Sequence, residues 1–343
     1  MRSLVTGGAG FIGSHLVEHL LDVGDSVVVL DDLSTGSMNN LAKVADHPGL
    51  EVVVGTILDP VIVRNVVLDV DRVFHLAAAV GVKLVVEQPL SCLRTNIHGT
   101  ENILMVCHET GTTLLLASTS EIYGKNESDG LTEESDRILG SALKSRWSYA
   151  AAKGIDEAFA RAYWEEYGLQ VSIVRLFNTV GPRQKGRYGM VVPNLVGQAI
   201  RGESLTVFGD GRQTRCFSAV EDIVPALVAI AESPEAYGQA YNLGGSTEIS
   251  ILDLAETVLE VVDSASDVVL VPYANAYGPG YEDMRRRVPD NSKAKALIGF
   301  VPRTGIEAIV RGVAGSMRES VAGEDWQMAQ ARPARNGLPG TEH

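Results

Sequence analysis

The chain is poor in cysteine, in aromatic residues and in positive charge. Its three cysteines, Cys92, Cys107 and Cys216, are scattered over 343 residues. So small and odd a set suggests neither a disulfide framework nor a zinc cluster. Lys and Arg number 29 against 43 Asp and Glu, a net charge of −14. That balance argues against nucleic acid or an anionic membrane as partner. An anionic small molecule remains admissible, because local cations and helix N-termini outweigh global charge at contact range. No apolar run approaches a membrane span and the start carries no signal-peptide pattern, so a cytoplasmic location is expected. What remains, 45% hydrophobic and 21% charged, is a globular composition long enough for one large domain or two.

The first thirteen residues carry the sharpest pattern. A short apolar strand at residues 3–6 runs into Gly7, Gly10 and Gly13, and a helical pattern follows over residues 14–23. In a dinucleotide site the first glycine allows the tight turn and the second lets backbone approach a pyrophosphate. The third lets the helix pack on the strand. Phe11 and Ile12, between these glycines, join them as candidate cofactor contacts. The spacing is one residue wider than the G-x-G-x-x-G of many dehydrogenases, so context must carry the assignment. A second apolar run at 26–30 supplies it, ending in Asp31-Asp32 about 20 residues past the glycines, where a ribose-binding acid is expected. Such a carboxylate repels a 2′-phosphate, and no Arg or Lys lies between Asp31 and Lys43. NAD is therefore expected rather than NADP.

Further apolar runs at 51–54, 72–76, 113–118 and 170–176 alternate with helix-length patterns at 95–110 and 148–167. This is the signature of βαβ units, and it predicts an α/β fold with a doubly wound parallel (Rossmann) sheet over residues 1–180. From about residue 181 the texture changes to loops and Pro/Gly punctuation. A smaller α/β substrate lobe is expected over 181–320, with some later strand and helix material returning to the first domain. Residues 321–343, without periodicity, are expected to be a disordered tail.

Tyr149 and Lys153 stand at i and i+4, on one face of a helix, where an ammonium beside a phenol favours phenolate. Tyr149 is thus a candidate general base. The run 114–118 reads as a buried strand ending in the hydroxyls of Thr119 and Ser120. At the carboxyl end of a parallel strand these would face the same site. His75 reads as a packed, hydrogen-bonded histidine, and His15 with His19 lacks a third ligand, so no metal site is expected.

Together these residues resemble the extended short-chain dehydrogenase/reductase family, in its nucleotide-sugar epimerase, dehydratase and decarboxylase branch. The motifs that carry the resemblance are the glycine run, Asp31 to Gly36, and His75-Leu76-Ala77-Ala78. Asn96 before Gly99-Thr100, Ser118 to Gly124, Tyr149 with Lys153, Arg175 to Asn178 before Gly181-Pro182, and Phe208 to Arg215 complete them. The resemblance implies that Tyr149, aided by Thr119 and Ser120, takes the proton from the sugar O4 as hydride leaves C4 for a tightly held NAD. It implies Lys153 at the nicotinamide ribose, and further cofactor contacts from Ser34, Thr35, Asp59, Leu76, Ala77, Ala78, Asn96 and Phe177. For a UDP-sugar it implies Glu121, Asn178, Val192, Asn194, Leu195, Thr206, Phe208, Arg215, Asp283 and Arg286. A homodimer through the helices at 95–110 and 148–167 is the family analogy.

Three reactions share the first oxidation. Dehydration needs a proton donor for the leaving hydroxide, and Ser120 stands where dehydratases place an aspartate. Decarboxylation of UDP-glucuronate fits Ser120, Glu121 and Arg215. Epimerisation at C4 is favoured by the loop 182–193, with three cations in five residues, of which Arg187 is the candidate clamp for a uronate carboxylate. A UDP-glucuronate 4-epimerase is therefore the expectation, with a UDP-glucuronate decarboxylase, a UDP-glucose 4-epimerase and a non-catalytic dinucleotide sensor as alternatives.

Overall fold

Seven parallel strands form the central sheet of the computed structural model, which describes residues 1–81, 87–186, 189–273, 275 and 284–330. Six lie in the first half: β1 (Arg2–Thr6), β2 (Ser26–Asp31), β3 (Leu50–Val54), β4 (Arg72–His75), β5 (Thr113–Thr119) and β6 (Val171–Leu176). The seventh, β11 (Ala240–Leu243), returns from the second half to the edge beside β6. The order is β11-β6-β5-β4-β1-β2-β3. The order reverses at β1, which pairs β2 on one side and β4 on the other. In such sheets the crevice at the carboxyl ends of the strands beside the reversal is where ligands bind.

The strands are continuous apolar runs because both sheet faces are covered. Along β1, Val5 and Leu4 enter opposite apolar clusters, and in β5 Leu115 does the same against Leu114 and Leu116. One face is packed by α1 (Phe11–Asp22), the other by α2 (Pro60–Val67), α3 (Pro89–Thr110) and α4 (Ser148–Tyr167). Two helices start earlier than their periodicity suggests. Gly10 is the N-cap of α1, so the first helical turn lies within the glycine motif itself. In α3 the start is Pro89, whose fixed φ suits a first helical position. The start and end of α4 match the expected span, closed by Gly168 at φ 71°.

Beyond β6 the short strands β7 (Thr179–Val180), β8 (Leu205–Phe208), β9 (Thr214–Cys216), β10 (Ser218–Ala219), β12 (Glu248–Ser250) and β13 (Val268–Val271) pair two by two. With α5 (Val191–Ile200), α7 (Ile251–Val262) and α9 (Ile306–Gln330), parts of this region enclose their own cluster, which includes Leu195, Leu205, Leu254, Val258 and Val310. Between these helices in sequence, α6 (Val220–Ala231) and α8 (Ser292–Ile298) return to the first sheet. The final helix corrects one expectation: α9 continues to Gln330, well into the stretch read as a tail. That stretch holds helix formers and meets no proline until Pro333. Residues 331–343 lie outside the described residues.

Candidate active site

A cleft of about 1100 Å³ opens along the carboxyl ends of the strands and runs between the sheet and the second lobe. At one end lies the glycine turn. Gly7 has φ 72°, and a Cβ there would stand 2.9 Å from the Ala77 amide nitrogen; one on Gly13 would stand 2.1 Å from the Gly7 carbonyl oxygen. Only glycine fits either position, and the turn delivers the cleft to the N-terminus of α1, with Gly7, Gly10, Phe11, Ile12 and Gly13 in its wall. Asp31 closes β2. Its Oδ2 accepts from the Ala9 amide at 2.9 Å and its Oδ1 from Leu33 at 2.8 Å. Burial raises its pKa and these two amides oppose the rise. Asp32, Ser34, Thr35, Leu76, Ala77 and Ala78 line the same end.

Three expected cofactor residues take other positions. Asp59 caps α2, accepting from the Val61 and Ile62 amides; the wall beyond β3 is made by Gly55 and Ile57 instead. Asn96 is fully buried behind the wall, where Oδ1 accepts from the Ala79 amide at 2.9 Å. It holds the loop after β4, and Thr95 and Ser91 face the cleft. The Phe177 side chain is buried with Ile122, Tyr123 and Leu131, leaving Leu176 and Asn178 as its lining neighbours.

At the middle of the cleft, Thr119 ends β5 and its hydroxyl accepts from the Glu121 amide at 3.2 Å, turning the chain into a short helical turn, Ser120–Tyr123. Tyr149, in the first turn of α4, is buried against it. Burial pushes the phenol pKa up, the charges of Glu121 and Asp156 push the same way, and the Thr119 hydroxyl opposes them. This differs from the expectation that Lys153 draws it down. The Lys153 ammonium instead meets Asp156 Oδ2 at 3.1 Å, so a neighbouring carboxylate offsets its charge.

Beside Tyr149 lies a cluster of arginines on Glu121. Arg146 donates from Nη1 to Oε2 at 2.6 Å and from Nη2 to Oε1 at 3.2 Å. Arg287 donates from Nη1 to the Ser120 hydroxyl at 3.1 Å and to Glu121 Oε1 at 3.5 Å. Although burial alone would raise it, Arg146, Arg287 and Arg215 hold the Glu121 carboxyl down to about 2. Glu121 is thus an anion at any working pH. The expected Arg286 is one residue out: it bonds Glu248 and Asp129 on the exterior, and Arg287 enters the wall. Arg146, one helical turn before Tyr149, was detectable from that spacing; Arg287 sits in an irregular segment where no periodicity selects one arginine of three. Arg187 and Asp283 lie outside the described residues.

The far end is built from the second lobe. Val192, Asn194 and Leu195 come from the start of α5, Thr206 and Phe208 from β8, and Arg215 from β9. Asn178, at φ 38°, ties this end to the sheet by donating to the Cys216 carbonyl at 3.0 Å. Gln198, which sequence reasoning missed, braces Thr206 by bonding both its hydroxyl and its amide.

A family model described as GDP-mannose 4,6 dehydratase matches residues 4–313. The chain is 39% identical to a UDP-N-acetyl-alpha-D-glucosaminuronate decarboxylase of Bacillus cytotoxicus, over 89% of this chain and 94% of that one. It is 35% identical to UDP-glucuronic acid decarboxylase 1 of Arabidopsis thaliana, over 95% and 72%. Among solved structures, the UDP-glucose 4-epimerase of Thermotoga maritima with UDP-glucose superposes with a TM-score of 0.84 at 30% identity, covering 94% and 100%.

Proposed function

The chain belongs to the GDP-mannose 4,6 dehydratase family of extended short-chain dehydrogenases/reductases, and from that premise we propose that it is an NAD-dependent decarboxylase of a UDP-linked hexuronate. This replaces the 4-epimerase favoured on sequence grounds. The observation that carries it is the Arg287–Ser120–Glu121 group beside Tyr149. Relatives named as decarboxylases of UDP-linked uronates align over most of the chain.

The cradle fits NAD. The glycine turn leaves room that a Cβ would fill, the N-terminus of α1 offers amide donors to a diphosphate, and Asp31 stands at the strand end where ribose hydroxyls are read. Ser34, Thr35, Leu76, Ala77 and Ala78 would line its adenosine and nicotinamide halves, with Lys153 at the nicotinamide ribose. When bound, NAD supplies the hydride acceptor for the sugar C4 and gives the hydride back later in the cycle. Val192, Asn194, Leu195, Thr206, Phe208 and Arg215 would hold the UDP half.

The residues divide the chemistry as follows. Tyr149 receives the O4 proton, and Thr119 steadies the oxygen. Oxidation at C4 leaves the carboxylate β to a ketone. The C5–C6 bond then breaks, its electron pair moves onto the C4 oxygen held by Tyr149 and Thr119, and CO₂ departs. Glu121, fixed as an anion, repels a substrate carboxylate and so favours its departure. The Ser120 hydroxyl, backed by Arg287, delivers a proton to C5 and is reprotonated from solvent, and Tyr149 returns its proton to O4 as the C4 ketone is reduced. Epimerisation is the second reading, favoured by the likeness to the Thermotoga enzyme.

Substrate carrying ¹³C at C6 tests the proposal. Label recovered as bicarbonate supports it, for UDP-glucuronate or UDP-N-acetylglucosaminuronate. Label retained in a C4-inverted uronate supports the epimerase instead.

A further inference from the structure

Asp156 is fully buried, with its partner Lys153 at 2% exposure. Its Oδ1 makes no hydrogen bond among the described residues. Burying an ion pair yields little net stability, because desolvation consumes the Coulombic gain. A carboxylate kept there, two helical turns from Tyr149 and one from Lys153, needs another reason.

The surroundings give it a direction. The Ala77 amide, in the cofactor wall, donates to the Thr6 hydroxyl at 3.2 Å. Thr6 meets His75 Nδ1 at 2.7 Å, and His75 Nε2 meets the Thr100 hydroxyl at 3.1 Å. A run of buried polar groups thus leads from the cofactor wall to Thr100, which opposes the burial-driven rise of the Asp156 carboxyl.

We propose that Asp156 is a positioning residue of the reaction centre: the counter-ion that holds the Lys153 ammonium and balances its charge beneath Tyr149. The inference rests on Tyr149 as the proton acceptor. The charged and titratable groups facing this pair are Glu121 from the turn after β5, Cys92 from α3, His75 from β4 and Glu157 from α4 itself. Removing the Asp156 charge removes one of the negative charges that hold the Tyr149 phenol up, so Tyr149 ionises at lower pH.

The test is Asp156→Asn, with Asp156→Ser as a second neutral variant should the first fold poorly. Tyrosinate difference absorbance, with Tyr149→Phe as the blank, reads the titration without any turnover. The expected result is ionisation about one pH unit lower, with the acid limb of kcat/KM moving the same way, a roughly tenfold gain on that limb. A lowered melting temperature with unchanged titration and unchanged acid limb makes Asp156 merely structural and overturns the proposal. A failed decarboxylase reading leaves the absorbance titration intact, so the two failures are distinguishable.

Discussion

Arg146 grips Glu121 with both terminal nitrogens, at 2.6 and 3.2 Å, three residues before Tyr149. The grip joins the short helical turn Ser145–Trp147, which leads into the Tyr149 helix, to the turn after β5. It therefore sets where an anion sits relative to the phenol. Arg146→Ala leaves Glu121 to Arg287 and lets it move. The expected loss in kcat is about a hundredfold, the scale of a one-ångström misplacement. Stability falls by about 3–5 kcal/mol, as when one partner of a buried pair is removed. Steady-state kinetics and urea melts check the two figures separately.

Neighbouring arginines separate the site from its exterior. Arg287→Ala removes the donor to Ser120 and is expected to cost at least about a hundredfold in turnover, comparable to loss of a preorganised donor. Arg286→Ala breaks only partly exposed pairs with Glu248 and Asp129. It should change stability by less than about 1 kcal/mol and leave turnover nearly unchanged. Equal effects from the two substitutions would mean the wrong arginine has been placed in the wall.

Gly13→Ala tests the cradle. Its Cβ would fall 2.1 Å from the Gly7 carbonyl, so α1 must shift away from β1 and the turn that receives the diphosphate opens. Protein purified from this variant is expected to carry little or no NAD, as read by absorbance after acid release, while Gly312→Ala, at an open position, retains it.

His75 makes stability pH-dependent. Burial first, and the Lys153 charge second, lower its pKa from 6.5 to about 3. The unfolded chain therefore binds this proton first. The neutral form's contribution is fully present above about 6.5 and is lost as pH falls toward 3, at about 1.4 kcal/mol per unit. Urea midpoints between pH 7 and 5 should fall accordingly, and His75→Asn should flatten that slope.

Much of this molecule could be read in its sequence because the governing patterns are local. The apolar runs that became β1, β2 and β5 are continuous because both sheet faces are covered. The i, i+4 spacing of Tyr149 and Lys153 needs only a helix. The glycines announce a turn that no other residue makes. What escaped was decided at longer range or by direction. Asn96 and Phe177 carry the right motif but point behind the wall, and Arg287 rather than Arg286 enters the cleft from a segment without periodicity. Asp59 was legible as something else: an acid before Pro60 is an N-cap signature. The Lys153–Asp156 pair adjoins the motif in sequence, yet its charge balance emerges only once α4 is buried against β5 and α3.

In the proposed reaction CO₂ leaves and C5 is reprotonated beside Ser120 and Arg287. Proton NMR of the product formed from UDP-glucuronate or UDP-N-acetylglucosaminuronate in deuterium oxide tests it most directly. The expected product is a UDP-linked pentose, from whichever uronate is accepted, bearing one deuteron at C5. A six-carbon uronate inverted at C4, with its C5 proton intact, would contradict it.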